Sequence, residues 1–118
     1  MTKREEASGL VQAMLDCFNN RRFDDADDLF APGYVTHPFG TGPDEGKQAW
    51  EQLVTRYPDI KLIADDILID GDKVTVRSSI TGIGTPSGDA DPLLIEVFRI
   101  GAGRLAEWWG STWLPDLS

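Results

Sequence analysis

The chain has 118 residues, 41% of them hydrophobic and 26% charged, with a formal net charge of −9. That length allows one domain over residues 1–118 with a real core and is too short for two, and the composition is that of a folded protein rather than a disordered one. The negative charge argues against a nucleic-acid backbone or an anionic membrane surface as partner.

No apolar run approaches the ~20 residues of a membrane span. Residues Met1 to Glu6 lead into an amphipathic stretch with no apolar signal core, so a cytoplasmic location is expected. Cys17 is the single cysteine and His37 the single histidine, which excludes an internal disulfide and zinc sites built from these ligands. Cys17 reads as a small buried residue rather than a nucleophile. The acidic residues Asp24, Asp25, Asp27 and Asp28, and Asp65, Asp66, Asp70 and Asp72, match no calcium-loop spacing. They read as solvated surface, and no metal is expected.

Residues 5–19 read as a helix, with Ala7, Leu10, Val11, Met14, Leu15 and Phe18 in one apolar stripe. A short second helix carries Phe23, Ala26, Leu29 and Phe30, and Pro32-Gly33 stops it. Tyr34 to His37 is extended, because Pro38 biases His37 away from helical geometry. After a loop, a third helix runs from about Asp44 to Tyr57 and ends at Pro58. The rest reads as β: strands over 60–69, 73–81, 92–100 and 104–113, with a hairpin turn at Asp70-Gly71-Asp72 and a loop over 82–91. Three helices followed by a largely antiparallel sheet argue an α+β fold. A strongly curved sheet wrapped on helices encloses a conical cavity, a natural ligand site.

Glu96 is the most informative residue. It lies in Leu93-Leu94-Ile95-Glu96-Val97-Phe98-Arg99-Ile100, and alternation puts Leu94, Glu96, Phe98 and Ile100 on one face. A carboxylate among large apolar residues is costly unless it is paired, protonated or facing a cavity. Three partners are open: His37, a group that titrates near neutrality, or an arginine, Arg77 on the neighbouring strand or Arg99 on its own, Arg77 in a cross-sheet pair that would keep Glu96 ionised. On 73–81, Val74, Val76 and Ile80 share one face and Thr75, Arg77, Ser79 and Thr81 the other. Pattern alone points the apolar face inward. Trp50 and Tyr57 are core residues by spacing and pocket lining second. Trp108 and Trp109 point to opposite faces of their strand, so one of them, with Trp113, presents apolar surface outward and predicts a homodimer through the sheet.

Several segments carry a resemblance in their order and spacing. They are Phe18-Asn19-Asn20, Tyr34-Val35-Thr36-His37-Pro38, Gly71 to Arg77, Glu96 to Ile100, and Gly103-Arg104-Leu105-Ala106-Glu107-Trp108-Trp109. Over nearly the whole chain they resemble the SnoaL-like polyketide cyclases of the nuclear transport factor 2-like superfamily, and ketosteroid isomerases, which share that fold. The resemblance implies a cone-shaped α+β barrel, with three helices on a curved, mainly antiparallel sheet enclosing a pocket. In ketosteroid isomerases an Asp-Pro pair carries the base, and His37-Pro38 holds that place; Glu96 holds that of a second acid. The isomerase tyrosine falls on Met14, and the late aspartate of the cyclases falls among Gly110, Ser111, Thr112 and Trp113. Both departures argue against those two reactions in their family form.

The resemblance also turns Arg77 and Ser79 into the cavity as a polar wall, and makes Trp108 the inward tryptophan. The expected site is therefore His37 and Glu96 for proton transfer, with Tyr34, Trp50, Tyr57, Arg77, Ser79, Phe98 and Trp108 against the ligand. The expected function is cofactor-free acid/base chemistry on a hydrophobic, oxygenated small molecule: isomerisation, cyclisation or hydrolysis. The rival is a non-catalytic ligand-binding or dimeric interaction domain.

Overall fold

A computed structural model of the chain describes residues 2–37, 40–84 and 93–113. Helix α1 spans Lys3–Asn19 and starts at Thr2, whose side chain accepts from the Glu5 N–H at 3.1 Å. Its stripe of Ala7, Val11, Met14, Leu15, Cys17 and Phe18 is buried. Helix α2 spans Pro43–Arg56, with proline in the first turn, where its missing N–H costs no hydrogen bond.

The region between the helices departs from expectation. Phe23–Asp28 forms a 3-10 helix, and Phe30 already belongs to strand β1, Phe30–Thr36. Four aspartates in six residues are poor helix formers and repel one another, so the segment does not propagate. Pro32 and Gly33, read as a helix stop, instead lie within β1 where its pairing with the last strand, Arg104–Trp113, is irregular. A proline without an N–H is tolerated at such a break in the ladder.

Strand β2 is Gly40–Thr41, β3 is Lys61–Asp70, β4 is Lys73–Thr81, β5 is Leu93–Gly101 and β6 is Arg104–Trp113. The first two residues of the expected loop, Gly82 and Ile83, together with Gly84, follow β4, and residues 85–91 lie outside those described. The six strands form one sheet in the order β2-β1-β6-β5-β4-β3. All neighbours are antiparallel except β1 and β6, which run parallel. Register shifts between Ala64 and Asp66 and between Arg99 and Ile100 add local bend.

The inner face carries Leu62, Val74, Val76, Ile80, Phe98 and Leu105, all buried with Phe18 and Phe30 in one core. This settles the orientation of β4: its valines point inward, and the pattern-based reading holds over the family-based one. Helices α1 and α2 cover this face, α1 against β3 and α2 against β1. No helix among the described residues is long and apolar enough to cross a membrane.

Candidate active site

Strand β5 places Glu96 on the inner face, opposite Val76 on β4 and Gly110 on β6. Glu96 is 6% exposed and lines a cavity of about 520 Å³ between the sheet and the helices. Its walls are mostly apolar: Met14 and Phe18 from α1, Ala49, Trp50 and Leu53 from α2, Phe30 from β1, Leu62 from β3 and Leu94 from β5. Gln52 and Arg56 are its exposed residues, so the mouth opens along α2. Gly46 lets α2 approach closely: a methyl group there would meet the Tyr34 ring at 3.2 Å.

The Trp108 indole N–H donates to Glu96 Oε2 at 2.7 Å. The other oxygen, Oε1, is buried and has no hydrogen-bond partner among the described residues. Burial pushes the Glu96 carboxyl up to about 7, and the Trp108 hydrogen bond opposes part of that rise. Near neutral pH this group therefore populates both protonation states. Tyr34 and Thr36, on the same face of β1, also line the cavity. Burial, reinforced by the Glu96 charge, raises the Tyr34 phenol well above its ordinary value, so it remains a neutral donor. Thr36 Oγ1, and Ser78 Oγ on β4, are the other buried side-chain oxygens without a partner among the described residues.

His37 is not in this cavity. It follows Thr36 by one residue and so projects to the outer face, where Nε2 lies 2.7 Å from Glu107 Oε2. Arg99 Nε donates to the second Glu107 oxygen at 3.0 Å, and the His37 ring stacks on Trp109 at 5.2 Å and 10°. Hydrogen bonds from His37 and then Arg99 hold the Glu107 carboxyl below its ordinary value. None of the partners considered for Glu96 (His37, Arg77 and Arg99) is bonded to it: His37 and Arg99 go to Glu107 and Arg77 to Asp66. Arg77 is on the outer face of β4, donating from Nε to Asp66 at 2.7 Å, and Ser79 beside it hydrogen-bonds Asp65. Arg77 and Ser79 thus correct the expected polar wall, because a strand that buries Val74, Val76 and Ile80 must turn their neighbours outward.

Tyr34, Trp50, Glu96 and Trp108 meet at the cavity. Phe98 is fully buried in the core beside it, and Tyr57 packs on the core at the end of α2, accepting from Arg56 Nε at 3.2 Å. Thr36 was not singled out by sequence reading, although its two-residue spacing from Tyr34 is a usable signal. Glu107 was missed as the partner of His37; its position, odd with Trp109 and opposite Trp108, places it outward. The side chain of Trp113 lies outside those described.

Helices laid over a curved six-stranded sheet, with a buried acid in an apolar cavity, define a small α+β cone of the nuclear transport factor 2-like type. The chain belongs to the SnoaL-like domain family, whose sequence profile matches residues 11–108. Among solved structures it is similar to TsrD from Streptomyces laurentii, at 22% identity over 95% of this chain and 91% of that one, with a TM-score of 0.79. A candidate polyketide cyclase from Bacillus cereus is 20% identical over 95% of this chain and 78% of that one, with a TM-score of 0.78. AclR, a candidate hydroxylase from Streptomyces galilaeus, is 19% identical over 98% and 94%, with a TM-score of 0.75. At these identities the likeness is one of fold. No curated protein matches the chain.

Proposed function

We propose that the protein is a small enzyme that moves a proton on a hydrophobic, oxygenated small molecule held in the cavity, with Glu96 as the acid/base. The observation that carries this reading is Glu96, a buried carboxyl that lines an apolar cavity and whose Oε1 has no protein partner among the described residues. A carboxyl whose pKa is raised to about 7 by burial can both take and return a proton at neutral pH. In the ionised state it takes the proton from a carbon next to a carbonyl. Electron density moves onto the carbonyl oxygen, where the Tyr34 hydroxyl, with Thr36 nearby, is a hydrogen-bond donor for the developing charge. The protonated carboxyl then returns the proton to a second carbon, or the enolate carbon attacks another carbonyl of the same molecule and closes a ring, the carboxyl giving its proton to the alkoxide that forms. Two structural neighbours are named as candidate polyketide cyclases, and a polyketide carries the ketone groups that this chemistry needs.

His37 takes no part in that step, because it is bound to Glu107 on the outer face. That face exposes Ile63 and Leu68 beside the half-buried Val97 and Trp109, and we propose it as the contact of a homodimer.

The test is solvent exchange. Hydrophobic ketones and 1,3-diketones are incubated in D2O, and loss of the α-proton is followed by NMR. The protein should accelerate exchange of ketones that bind, and Glu96→Gln should abolish that acceleration while still binding them. Binding without any exchange by the unaltered protein would instead favour a ligand-carrying role.

A further inference from the structure

Gly110 lies directly opposite Glu96 in the β5–β6 ladder, two residues after Trp108 on the same face. A methyl group at Gly110 would fall well inside contact distance of Cζ2 and Cη2 of Trp108. The six-membered ring of the indole therefore rests in the space that a side chain at Gly110 would fill. From there the ring presents its N–H to Glu96 Oε2 at 2.7 Å.

We propose that Gly110 is a positioning residue: by leaving its place to the Trp108 ring, it aims the indole N–H at one oxygen of Glu96 and leaves Oε1 as the oxygen that exchanges a proton with the ligand. The chemistry of the indole supports the division. Its N–H donates and cannot accept, so it can hold Oε2 in either protonation state but cannot take the proton itself. The hydrogen of the protonated carboxyl then sits on Oε1, which is buried and has no partner among the described residues, in a side chain that lines the cavity. The other ionisable groups lining the cavity are Tyr34 on β1 and Arg56 on α2, while β4 opposes Glu96 with Val76 and α1 presents Met14 and Phe18.

This inference rests on Glu96 as the acid of the site, but its test needs no substrate. Protein carrying glutamate labelled with 13C at the carboxyl is titrated by NMR, and the Glu96 signal is identified by its absence in Glu96→Gln. Trp108→Phe removes the N–H and should raise the Glu96 midpoint by about one pH unit, the expected effect of losing a hydrogen bond to a charged group. Gly110→Ala displaces the ring and should raise it by a similar amount. Added to Trp108→Phe, where the shorter ring has no N–H to aim, Gly110→Ala should change nothing further. An unchanged midpoint in Trp108→Phe, or a further rise on adding Gly110→Ala to it, overturns the proposal, whether or not Gly110→Ala alone folds. Loss of ketone exchange in Glu96→Gln is read separately, so the two ideas can fail independently.

Discussion

At the scale of the residue, Glu96 concentrates the chemistry because it is the one buried acid facing the cavity among the described residues. Its raised pKa ties activity and stability to the same proton. Exchange that needs the carboxylate should rise with pH through about 7 and level off above it, which a pH profile of ketone exchange would show. Stability should move the other way. Between the ordinary value of 4.5 and about 7, the folded chain keeps a proton that the unfolded chain has released. The unfolded state binds fewer protons in that window, so stability falls as pH rises through it, by about 3 kcal/mol in total. Glu96→Gln cannot ionise, so its urea-unfolding free energy should lack this decline and exceed that of the unaltered protein at pH 8. An equal decline in both would place the buried charge elsewhere.

At the scale of the element, the cavity depends on how the helices are tied to the sheet. Strand β3 is an edge, and α1 closes it through Asn19, whose side chain donates to Leu62 O at 2.8 Å and accepts from Leu62 N at 2.9 Å. These two bonds satisfy the backbone of a buried strand residue that no further strand pairs. Asn19→Ala should cost about 2 kcal/mol by urea unfolding, because both Leu62 groups lose their partner in a half-buried place. Arg21 performs a similar clamp with carbonyls of Pro58 and Ile60. On the other side, Glu107 links β1 to β5 through His37 and Arg99. Its lowered pKa gives stability that is present above the ordinary carboxylate range and lost as pH falls through the folded value. Glu107→Gln should remove that acid-side dependence and leave ketone exchange intact, since the cluster lies on the face away from the cavity.

At the scale of the whole molecule, the two proposed roles fall on opposite faces of the sheet. Its inner face holds the core and the cavity, and its outer face holds ion pairs and exposed apolar residues. Leu68 at 65% exposure and Ile63 at 52% are the most exposed large apolar side chains among the described residues, and the proposed dimer would bury both. Sedimentation velocity should show a concentration-dependent dimer, and Leu68→Glu combined with Ile63→Glu should shift it to monomer without changing the Glu96 titration. A monomer at all concentrations would remove the outer face from the account of the site.

The sequence by itself determined helices α1 and α2 and strands β3 to β6, because helical and strand periodicities are local properties of the chain. It also determined that Glu96 needed an explanation, since a carboxylate flanked by Leu94 and Phe98 on one strand face is costly wherever that strand lies. Alternation put Val74 and Val76 on one face of β4 and Arg77 on the other, but the choice of the inner face against the family comparison came from the tertiary structure. Only the tertiary structure decided which groups surround Glu96. His37 and Glu96 have compatible chemistry, but β6 lies between their strands and one residue of alternation puts His37 on the opposite face. The indole that does reach Glu96 comes from Trp108, and its aim depends on an empty place at Gly110 across the ladder. The extension of β1 through Pro32 and Gly33 was likewise not local, since it follows from pairing with β6, more than seventy residues further along the chain. A single strand specifies which way its side chains alternate; what they meet is fixed by register and curvature, which belong to the assembled sheet.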